Sequence, residues 1–584
     1  MNYTLINPRS KSSAIEQVLF NRGIEDIQHY LNTSDSDILD PLLLDNIKEG
    51  AKMLVSHISQ NHKIMIQIDS DVDGFTSAAL LINYLNCLFP AFAQNQISYR
   101  THTGKQHGIL LETIPDDIKL VIAPDSSSED YEVHKALYEK GIDVLVIDHH
   151  LAPRVSEYAC VINNQLCDYP TKSLSGVGVV YKFCCYIDSL MNTNHAENYI
   201  DLVSLGLVAD MMDLRDYETK ELVFRGIKSV RNPYFKGMTI KNEYSIGSEL
   251  TPFGISFYIA PYINAVVRSG TMDEKLILFE SMLDFKAYEN IPSTKRGCKG
   301  QFETRVEQAC RNCTNIKNRQ TKTRDASLEI IEEIIEEQNL FDKKVLVICL
   351  DAAQRTNLSG LIANQLMAQF QRPVLILSNT IHDIIENDKV VGTETWWEGS
   401  VRGPNGTGIE SWNEFFENSN LVEYCQGHDA AFGIGIKDNN LEAFKEYCEN
   451  ELKDFDFTPK YNVDFIYDAK DLQKYETDFY NLMSYKKLWG QEVTQPYIVI
   501  ENVVITKDRI QLMKGTTLKI IPSADAGISA IKFKVSEQEY ENLYSEAGCV
   551  IINVLGVCEE NTWDNKPQLI IRDYEIVDRQ EYYF

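Results

Sequence analysis

The sequence predicts an α/β protein in which two α/β domains are joined by a long helix and followed by a C-terminal all-β barrel. Short β-branched runs alternate with helical stretches from about residue 51 to 215, which is typical of a parallel sheet covered on both faces. A second pattern of this kind begins at 343. From about 456 it gives way to short alternating strands separated by turns. The length of 584 residues accommodates three or four domains.

The first half of the chain contains an N-terminal helical segment (1–50) and the first α/β domain (51–285). The strands of that domain are predicted from KIMIQI, KLVIAP and DVLVID, and the helices from TSAALLINYLNCLF and SEDYEVHKALYEKG. These strand runs are largely apolar, so both faces of the sheet are expected to be buried. Residues 217–285 have a mostly helical pattern.

The second half begins with a basic linker helix (286–340), which the second α/β domain (341–455) and the barrel (456–584) follow. Between 286 and 324, ten Lys and Arg side chains stand against three Glu, a local charge of +7 on a chain whose net charge is −29. The acidic total disfavours a nucleic-acid partner, whereas this basic stretch favours one.

Cellular location is indicated by apolar runs and by cysteine usage. No run has the roughly 20 apolar residues of a membrane span, and MNYTLINPRSK lacks the apolar core of a secretory signal. The 13 cysteines are scattered, some within apolar runs, as is typical of reduced thiols. We therefore expect a cytoplasmic protein without membrane contact.

Acidic and imidazole side chains follow four apolar runs at the point where each run ends. They are, in chain order, Asp69, Asp71, Asp73, Asp125, Asp148, His149, His150 and Asp210. Because the carboxyl ends of parallel strands meet at one edge of a sheet, we expect these four segments, each taken as a strand end, to lie together. Such like charges repel one another unless cations neutralise them. Carboxylates and imidazoles suit Mn²⁺, Mg²⁺ or Zn²⁺, and two such ions can activate water and clamp a phosphate.

Each of these motifs has a simpler interpretation. An isolated aspartate at a strand end is most often a helix N-cap, and Asp-His-His alone is a weak signal. DSDVDG also resembles a calcium-binding loop, but its twelfth position is Leu80 instead of the required Glu. The specific signal is the joint occurrence of four such segments in order.

With these motifs the sequence resembles the DHH superfamily of phosphoesterases and, within it, the RecJ family of single-strand-specific 5′→3′ DNA exonucleases. The resemblance implies two Mn²⁺ ions, with Mg²⁺ as the alternative, and a DHH domain followed by a DHH-associated domain and an OB barrel. It implies that metal is bound by Asp69, Asp71, Asp73, Asp125, His149 and Asp210. It also implies catalytic roles for Asp148, His149 and His150, in which Asp148 orients a histidine and His150 contacts the phosphate.

The resemblance extends to substrate binding. APYINAVVR (260–268), GSVRG (399–403), CQGHDAAFGIGI (425–436) and YRTHTGKQHGI (99–109) are similar to family motifs, with departures such as Tyr262 in place of an Arg. The implied substrate-binding residues are Arg100, Asn264, Arg268, Ser400, Arg402 and His428. The three arginines and Ser400 are expected to hold a 5′ phosphate, because a guanidinium binds phosphate with a bidentate fork.

We interpret the sequence as that of a Mn²⁺-dependent hydrolase that degrades single-stranded DNA from its 5′ end in repair or recombination. A helicase or a single-strand-binding protein is a candidate partner. Three alternatives stay open. They are a DHH-family phosphodiesterase of oligonucleotides or small nucleotides, like the nanoRNases, a non-catalytic scaffold of a replication complex, and, as the weakest, a manganese pyrophosphatase, which has a much shorter layout. The barrel and the basic stretch favour a polymeric substrate, and the complete set of metal-binding side chains favours catalysis.

Overall fold

The computed structural model describes residues 1–104, 106–351, 354, 356, 358–386, 389–561 and 563–581. Strand β1 (Asn2–Leu5) pairs in parallel with β14 (Lys460–Val463), which lies near the start of the C-terminal part of the chain. Three helices follow β1: α1 (Ala14–Asn21), α2 (Ile27–Leu31) and α3 (Ile47–Ser59). The N-terminal segment is therefore helical as predicted, with an additional strand whose partner is far away in the sequence.

Five parallel strands form the first sheet in the order β3-β2-β4-β5-β6. They are β2 (Lys63–Ile68), β3 (Ile97–Thr101), β4 (Ile118–Pro124), β5 (Asp143–Asp148) and β6 (Cys160–Asn163). The three apolar runs of the sequence correspond to β2, β4 and β5, which are buried along almost their whole length. Burial on both faces follows from the helices that pack on either side of a parallel sheet.

The first helices of this part cover the sheet, and the later ones add a layer of helices to it. They are α4 (Val72–Leu88), α5 (Pro90–Gln96), α6 (Tyr131–Glu139), α7 (Gly176–Met191), α8 (Ile200–Ala209), α9 (Tyr217–Lys228), α10 (Pro233–Lys241), α11 (Glu243–Ile246), α12 (Pro252–Tyr258), α13 (Ala260–Ser269) and α14 (Met272–Glu280). The expectation that Asp210 ends a strand is wrong, because LVSLGLVA is part of helix α8 and Asp210 is its C-cap. A fully buried helix and a buried strand both give a continuous apolar run, so periodicity alone does not separate them.

The linker contains one long helix, α15 (Arg305–Glu337), that begins later than the basic stretch does. Residues before it form an antiparallel pair of short strands, β7 (Asn290–Pro292) and β8 (Phe302–Thr304). Thr304 and Glu307 form a reciprocal capping box, which fixes the first turn of the helix at this point. Of the helix that was expected over 286–340, only the part from Arg305 to Glu337 is present as α15.

The second α/β part contains a mixed sheet in the order β12-β13-β11-β10-β9, in which β9 and β10 are parallel and the other pairs antiparallel. Its elements are β9 (Leu346–Leu350), α16 (Ser359–Phe370), β10 (Val374–Glu386), β11 (Lys389–Arg402), α17 (Trp412–Glu417), β12 (Tyr424–His428), β13 (Ala431–Lys437) and α18 (Leu441–Glu451). Helix α16 packs on one face, and helices α17 and α18 pack on the other.

The C-terminal part contains a mostly antiparallel sheet of the OB type in the order β15-β16-β20-β21-β19-β18-β17. Its further elements are β15 (Phe465–Asp468), α19 (Glu476–Ser484), β16 (Tyr497–Ile505), β17 (Ile510–Met513), β18 (Thr517–Ile520), β19 (Ser529–Phe533), α20 (Glu537–Leu543), β20 (Gly548–Asn561) and β21 (Lys566–Glu581). The predicted strands are present, and helices α19 and α20 are additions to an expectation that was all-β.

The hydrophobic cores do not follow the domain boundaries that were predicted from the sequence. One continuous cluster runs from the N-terminal helices through the first sheet into the C-terminal part, where it includes Trp489 and Ile498. The second α/β part has two clusters of its own, one of which contains the end of α15 at Ile331 and Ile335. Of the helices in the described residues, none is both long and apolar enough to cross a membrane.

Candidate metal centre and interdomain cleft

The carboxyl ends of β2, β4 and β5 and the C-terminal end of α8 meet at one edge of the first sheet. Three overlapping groups of side chains there each offer ligand atoms that all lie within 4.8 Å of one another. The groups are Asp69, Asp71 and Asp125; Asp73, His149 and Asp210; and Asp125, Asp148, His149 and His150. These side chains, called the carboxylate cluster below, are the ones that the sequence analysis singled out.

The three aspartates between β2 and α4 have different surroundings. Asp71 is the N-cap of α4 and accepts a hydrogen bond from the Gly74 N–H at 2.9 Å. Asp73 is buried in the first turn and accepts a hydrogen bond from Ser175 Oγ at 2.8 Å. Asp69 is also buried and has one oxygen without a hydrogen-bond partner. The N-cap interpretation of Asp71 is therefore correct, and it is compatible with a place in the cluster.

Asp125 has the least satisfied side chain of the cluster. It is 1 % exposed, and neither of its carboxylate oxygens has a hydrogen-bond partner among the described residues. Its backbone has a φ of +66°, a conformation that costs free energy for any residue with a Cβ. Buried carboxylate oxygens without donors fit a cation, because a bound ion supplies the missing positive charge.

Two glycines on neighbouring helices make room for the carboxylates. A Cβ at Gly176 of α7 would collide with the Asp125 side chain, and a Cβ at Gly206 of α8 would collide with Asp73 Oδ1. Any larger residue at either position would therefore push a carboxylate out of the cluster.

The two histidines after β5 differ in their contacts. His149 Nε2 lies 3.3 Å from Asp125 Oδ1 and 3.5 Å from Asp210 Oδ2, so it links two of the groups. His150 is exposed, and its Nδ1 lies 2.7 Å from Asp148 Oδ1. Asp148 also accepts hydrogen bonds from the backbone N–H groups of His149 and Ser128. The imidazole that Asp148 contacts directly is thus that of His150.

Burial and mutual repulsion raise the pKa of several acidic groups. Burial, followed by repulsion from Asp73, raises the pKa of Asp71 to about 6 and that of Asp210 to about 8, and it raises the pKa of Asp125 well above its usual range. Burial would also raise the pKa of Asp148, but the hydrogen bonds and the charge of His150 outweigh it and lower the pKa to about 2. That bond in turn raises the pKa of His150 to about 9.

Two histidines that the sequence analysis did not select lie beside Asp69. His107 Nδ1 is 2.9 Å from Asp69 Oδ2, and the bond raises the pKa of this exposed imidazole. His102 is buried, with its Nε2 3.9 Å from Asp69 Oδ1. Both belong to the loop THTGKQHG, whose two histidines five positions apart were the available signal.

A cavity of about 700 Å³ separates the first α/β part from the second. Its walls include Gly104 and Arg268 on one side, and Ser359, Ser400 and Arg402 on the other. Ser400 Oγ lies 2.9 Å from Ser359 Oγ. Burial, followed by the charge of Arg268, lowers the pKa of Arg402, and both arginines line this interdomain cleft. Such a pair fits an anion between them.

The other substrate-binding residues implied by the resemblance are not among the residues that line the interdomain cleft. Arg100 is exposed on β3, and His428 is exposed at the end of β12. Asn264 lies half-buried in the middle of α13. The structure thus brings together Arg268, Ser400 and Arg402 and leaves the other three outside the walls of this cavity.

Comparison with known proteins shows which family this chain belongs to. The model of the DHH family, N-terminal domain, matches residues 63–207, which contain most of the carboxylate cluster. The SPβ prophage-derived protein named as single-strand DNA-specific exonuclease YorK, from Bacillus subtilis, is 35% identical over 99% of this chain and 98% of its own length. The chain belongs to the RecJ-like exonucleases of the DHH family.

Other RecJ proteins and structures agree with this assignment. The single-stranded-DNA-specific exonuclease RecJ of Bacillus subtilis is 25% identical over 97% of this chain and 68% of its own length. The crystal structure of RecJ from Thermus thermophilus in complex with Mn²⁺ has a TM-score of 0.67 at 18% identity, covering 98% of this chain and 76% of that one. A manganese-bound exonuclease RecJ has a TM-score of 0.52 at 21% identity, covering 72% of this chain and 97% of that one. The RecJ-like fold therefore extends through all parts of this chain.

Proposed function

We propose that this chain is a divalent-metal-dependent exonuclease that degrades single-stranded DNA from the 5′ end during repair or recombination. The observation that carries the proposal is the convergence of eight acidic and imidazole side chains at one sheet edge, next to a cleft lined by two arginines. The family supports the same activity, since several relatives are named as single-stranded-DNA-specific exonucleases.

The carboxylate cluster fits two cations. Asp69, Asp71 and Asp125 would hold one, and Asp73, His149 and Asp210 would hold the other. Divalent cations bound there would polarise a phosphodiester and lower the pKa of a water molecule. Mn²⁺ is the first candidate, and Mg²⁺ is the second, because the Thermus thermophilus RecJ structures contain each of these ions.

The chain's own residues would bind and orient the substrate. Asp148 bonds Nδ1 of His150 and raises the pKa of that imidazole, and the exposed ring would donate a hydrogen bond to a phosphoryl oxygen. Arg268 and Arg402 would bind the terminal 5′ phosphate in the interdomain cleft, with Ser400 as a further donor. A terminal phosphate held beside the cations determines which phosphodiester is cleaved, which is what makes such an enzyme an exonuclease.

Arg100, Asn264 and His428 remain candidates for contacts with the rest of the substrate. The basic residues between 286 and 324, together with the OB-type part, would bind the strand that has yet to be degraded. A helicase or a single-strand-binding protein in the cytoplasm would supply single-stranded substrate to such an enzyme.

The test is digestion of oligonucleotides that carry a label at one end, in the presence of Mn²⁺. We expect release of mononucleotides from the 5′ end of single-stranded DNA, with little activity on duplex DNA, on RNA or on dinucleotides. Degradation from the 3′ end, or a preference for dinucleotides, would replace this proposal with a different phosphodiesterase activity. Absence of both cleavage and Mn²⁺ binding would favour a scaffold.

A further inference from the structure

Two stacked phenylalanines lie exposed on helix α12, beside the carboxylate cluster. The rings of Phe253 and Phe257 have centroids 4.3 Å apart and an interplanar angle of 30°. Their exposed fractions are 48% and 60%. A pair of aromatic rings left in contact with water in this way costs free energy, and such surfaces usually have a ligand or a partner.

The pair forms one wall of a cavity of about 370 Å³, called the aromatic cleft below. Its lining includes the apolar side chains of Val208, Met211 and Trp489 and the uncharged polar side chains of Ser256, Gln491, Thr494 and Gln495. None of the described residues that line it carries a charge. An apolar lining with uncharged hydrogen-bonding groups fits a flat heterocycle, which has π faces and polar edges, and does not fit a phosphate.

The walls of the aromatic cleft are held by two parts of the chain. Segment 489–495 precedes β16 and packs against the first domain, where the Leu214 N–H donates a hydrogen bond to the Gln491 carbonyl oxygen at 3.3 Å. A Cβ at Gly490 would collide with the Leu214 side chain, so the two segments are in close contact. The cleft is therefore a fixed feature of the shared core and does not depend on the second α/β part.

The aromatic cleft and the interdomain cleft are connected to the carboxylate cluster by different segments of the chain. Met211, with an exposed side chain and a φ of +60°, directly follows Asp210 and lines the aromatic cleft. Gly104 lines the interdomain cleft and belongs to the loop whose His107 contacts Asp69. Phe257 lies on α12, three residues before helix α13 begins, and Arg268 lies in the last turn of α13.

We propose that the aromatic cleft binds the nucleobase of the nucleotide on the 3′ side of the scissile bond. The inference rests on the proposed function, which puts the terminal phosphate at Arg268 and Arg402 and the scissile phosphodiester at the carboxylate cluster. On this placement the DNA strand continues from the cluster past Met211, the residue after Asp210, and there it meets Phe253 and Phe257. Stacking on these rings holds the strand without reading its sequence.

The experiment pairs a protein variant with a substrate that lacks one base. The Phe253→Ala/Phe257→Ala double variant is compared with the wild type on two 5′-phosphorylated strands, one with all its bases and one with an abasic second nucleotide. We expect the variant to lose about tenfold to a hundredfold in kcat/KM on the intact strand and less than about threefold on the abasic strand. The control is Phe341→Ala, which removes another half-exposed ring, paired with Phe370, from the second α/β part.

A second measurement does not depend on cleavage. With 2-aminopurine as the second base and no divalent cation present, the wild type should quench the fluorescence of the bound strand by stacking, and the double variant should not. Equal quenching by the wild type and the double variant, or an equal loss of activity on the intact and the abasic strand, would overturn the inference. The exposed aromatic pair would then be assigned to contact with a protein partner. If the wild type cleaves no 5′-phosphorylated strand at all, the proposed function fails instead, and the fluorescence still decides whether a base binds here.

Discussion

The carboxylate cluster and the interdomain cleft are built in opposite ways. The cluster lies within one hydrophobic core, and strand ends and helix ends of a single part of the chain supply all its side chains. The interdomain cleft lies between parts that have separate cores and are joined by α15. Arg268 belongs to one wall and Arg402 to the other.

This difference separates the roles of the two regions. Side chains that share a rigid core hold their positions, which is what two cations and a reacting phosphodiester need. A cleft between separate cores can change its width, since interfaces between domains are the usual place for hinge motion. Under the proposed function, the site that binds the 5′ phosphate would adjust to the substrate, whereas the metal centre would not.

The largest effect is expected from removing a carboxylate of the cluster. Asp71→Ala or Asp210→Ala should lower the rate of cleavage by at least about a thousandfold, because each removes a candidate ligand of one cation. The fold should be retained, since both groups are costly to bury in ionised form. Asp213→Ala is the matched control, because Asp213 pairs with Arg215 and lies outside the cluster. A variant of Asp71 or Asp210 with activity near that of the wild type would contradict the assignment.

A smaller and more selective effect is expected in the interdomain cleft. Arg402→Ala should lower kcat/KM by about tenfold to a hundredfold on a 5′-phosphorylated strand and much less on a strand with a 5′ hydroxyl. Arg402→Lys should recover part of the loss, because lysine keeps the charge without the bidentate fork. The control is Arg372→Ala, which removes an arginine that bonds backbone carbonyl groups of the same domain. Equal losses on both substrates would mean that Arg402 has a structural role only.

The smallest effect concerns pH and the stability of the cluster. The raised pKa values of Asp71, about 6, and Asp210, about 8, mean that these two groups bind more protons in the folded chain without cations than in the unfolded chain above about pH 4. Their contribution to the stability of the fold therefore falls as the pH rises from about 4 to 8. Cations bind the ionised groups, so Mn²⁺ should raise Tm by about 2–4 °C more at about pH 8 than at about pH 5.5. Thermal melts with and without Mn²⁺ measure the difference, and Asp71→Asn/Asp210→Asn should abolish it.

The carboxylate cluster was largely predictable from the sequence, because it obeys a general rule of parallel sheets. Asp69, Asp125 and Asp148 lie where apolar strands end, and strand ends converge. Asp210 was selected for the same reason, although it follows a helix. The prediction that Asp210 belongs to the cluster was correct, but the prediction that it follows a strand was wrong. A buried helix gives the same continuous apolar run as a buried strand.

The loops and the spaces between parts were harder to predict. His107 reaches Asp69 from an irregular loop, and no periodicity connects the two residues. The aromatic cleft combines α12 with segment 489–495, so its shape depends on packing between distant parts of the chain. Arg402 was identified through a motif, but only the structure shows that it lines the same cavity as Arg268.

The pairing of β1 with β14 has a consequence for the order in which the molecule is assembled. The partner of the first strand is synthesised only after both α/β parts have left the ribosome, so the opening segment must wait with an unpaired edge while most of the chain folds. Once made, the pairing joins the first strand of the chain to the start of the C-terminal part. The OB-type part is then attached to the rest of the molecule by a β-strand pairing at its beginning as well as by its core, and both attachments restrict its movement relative to the first α/β part.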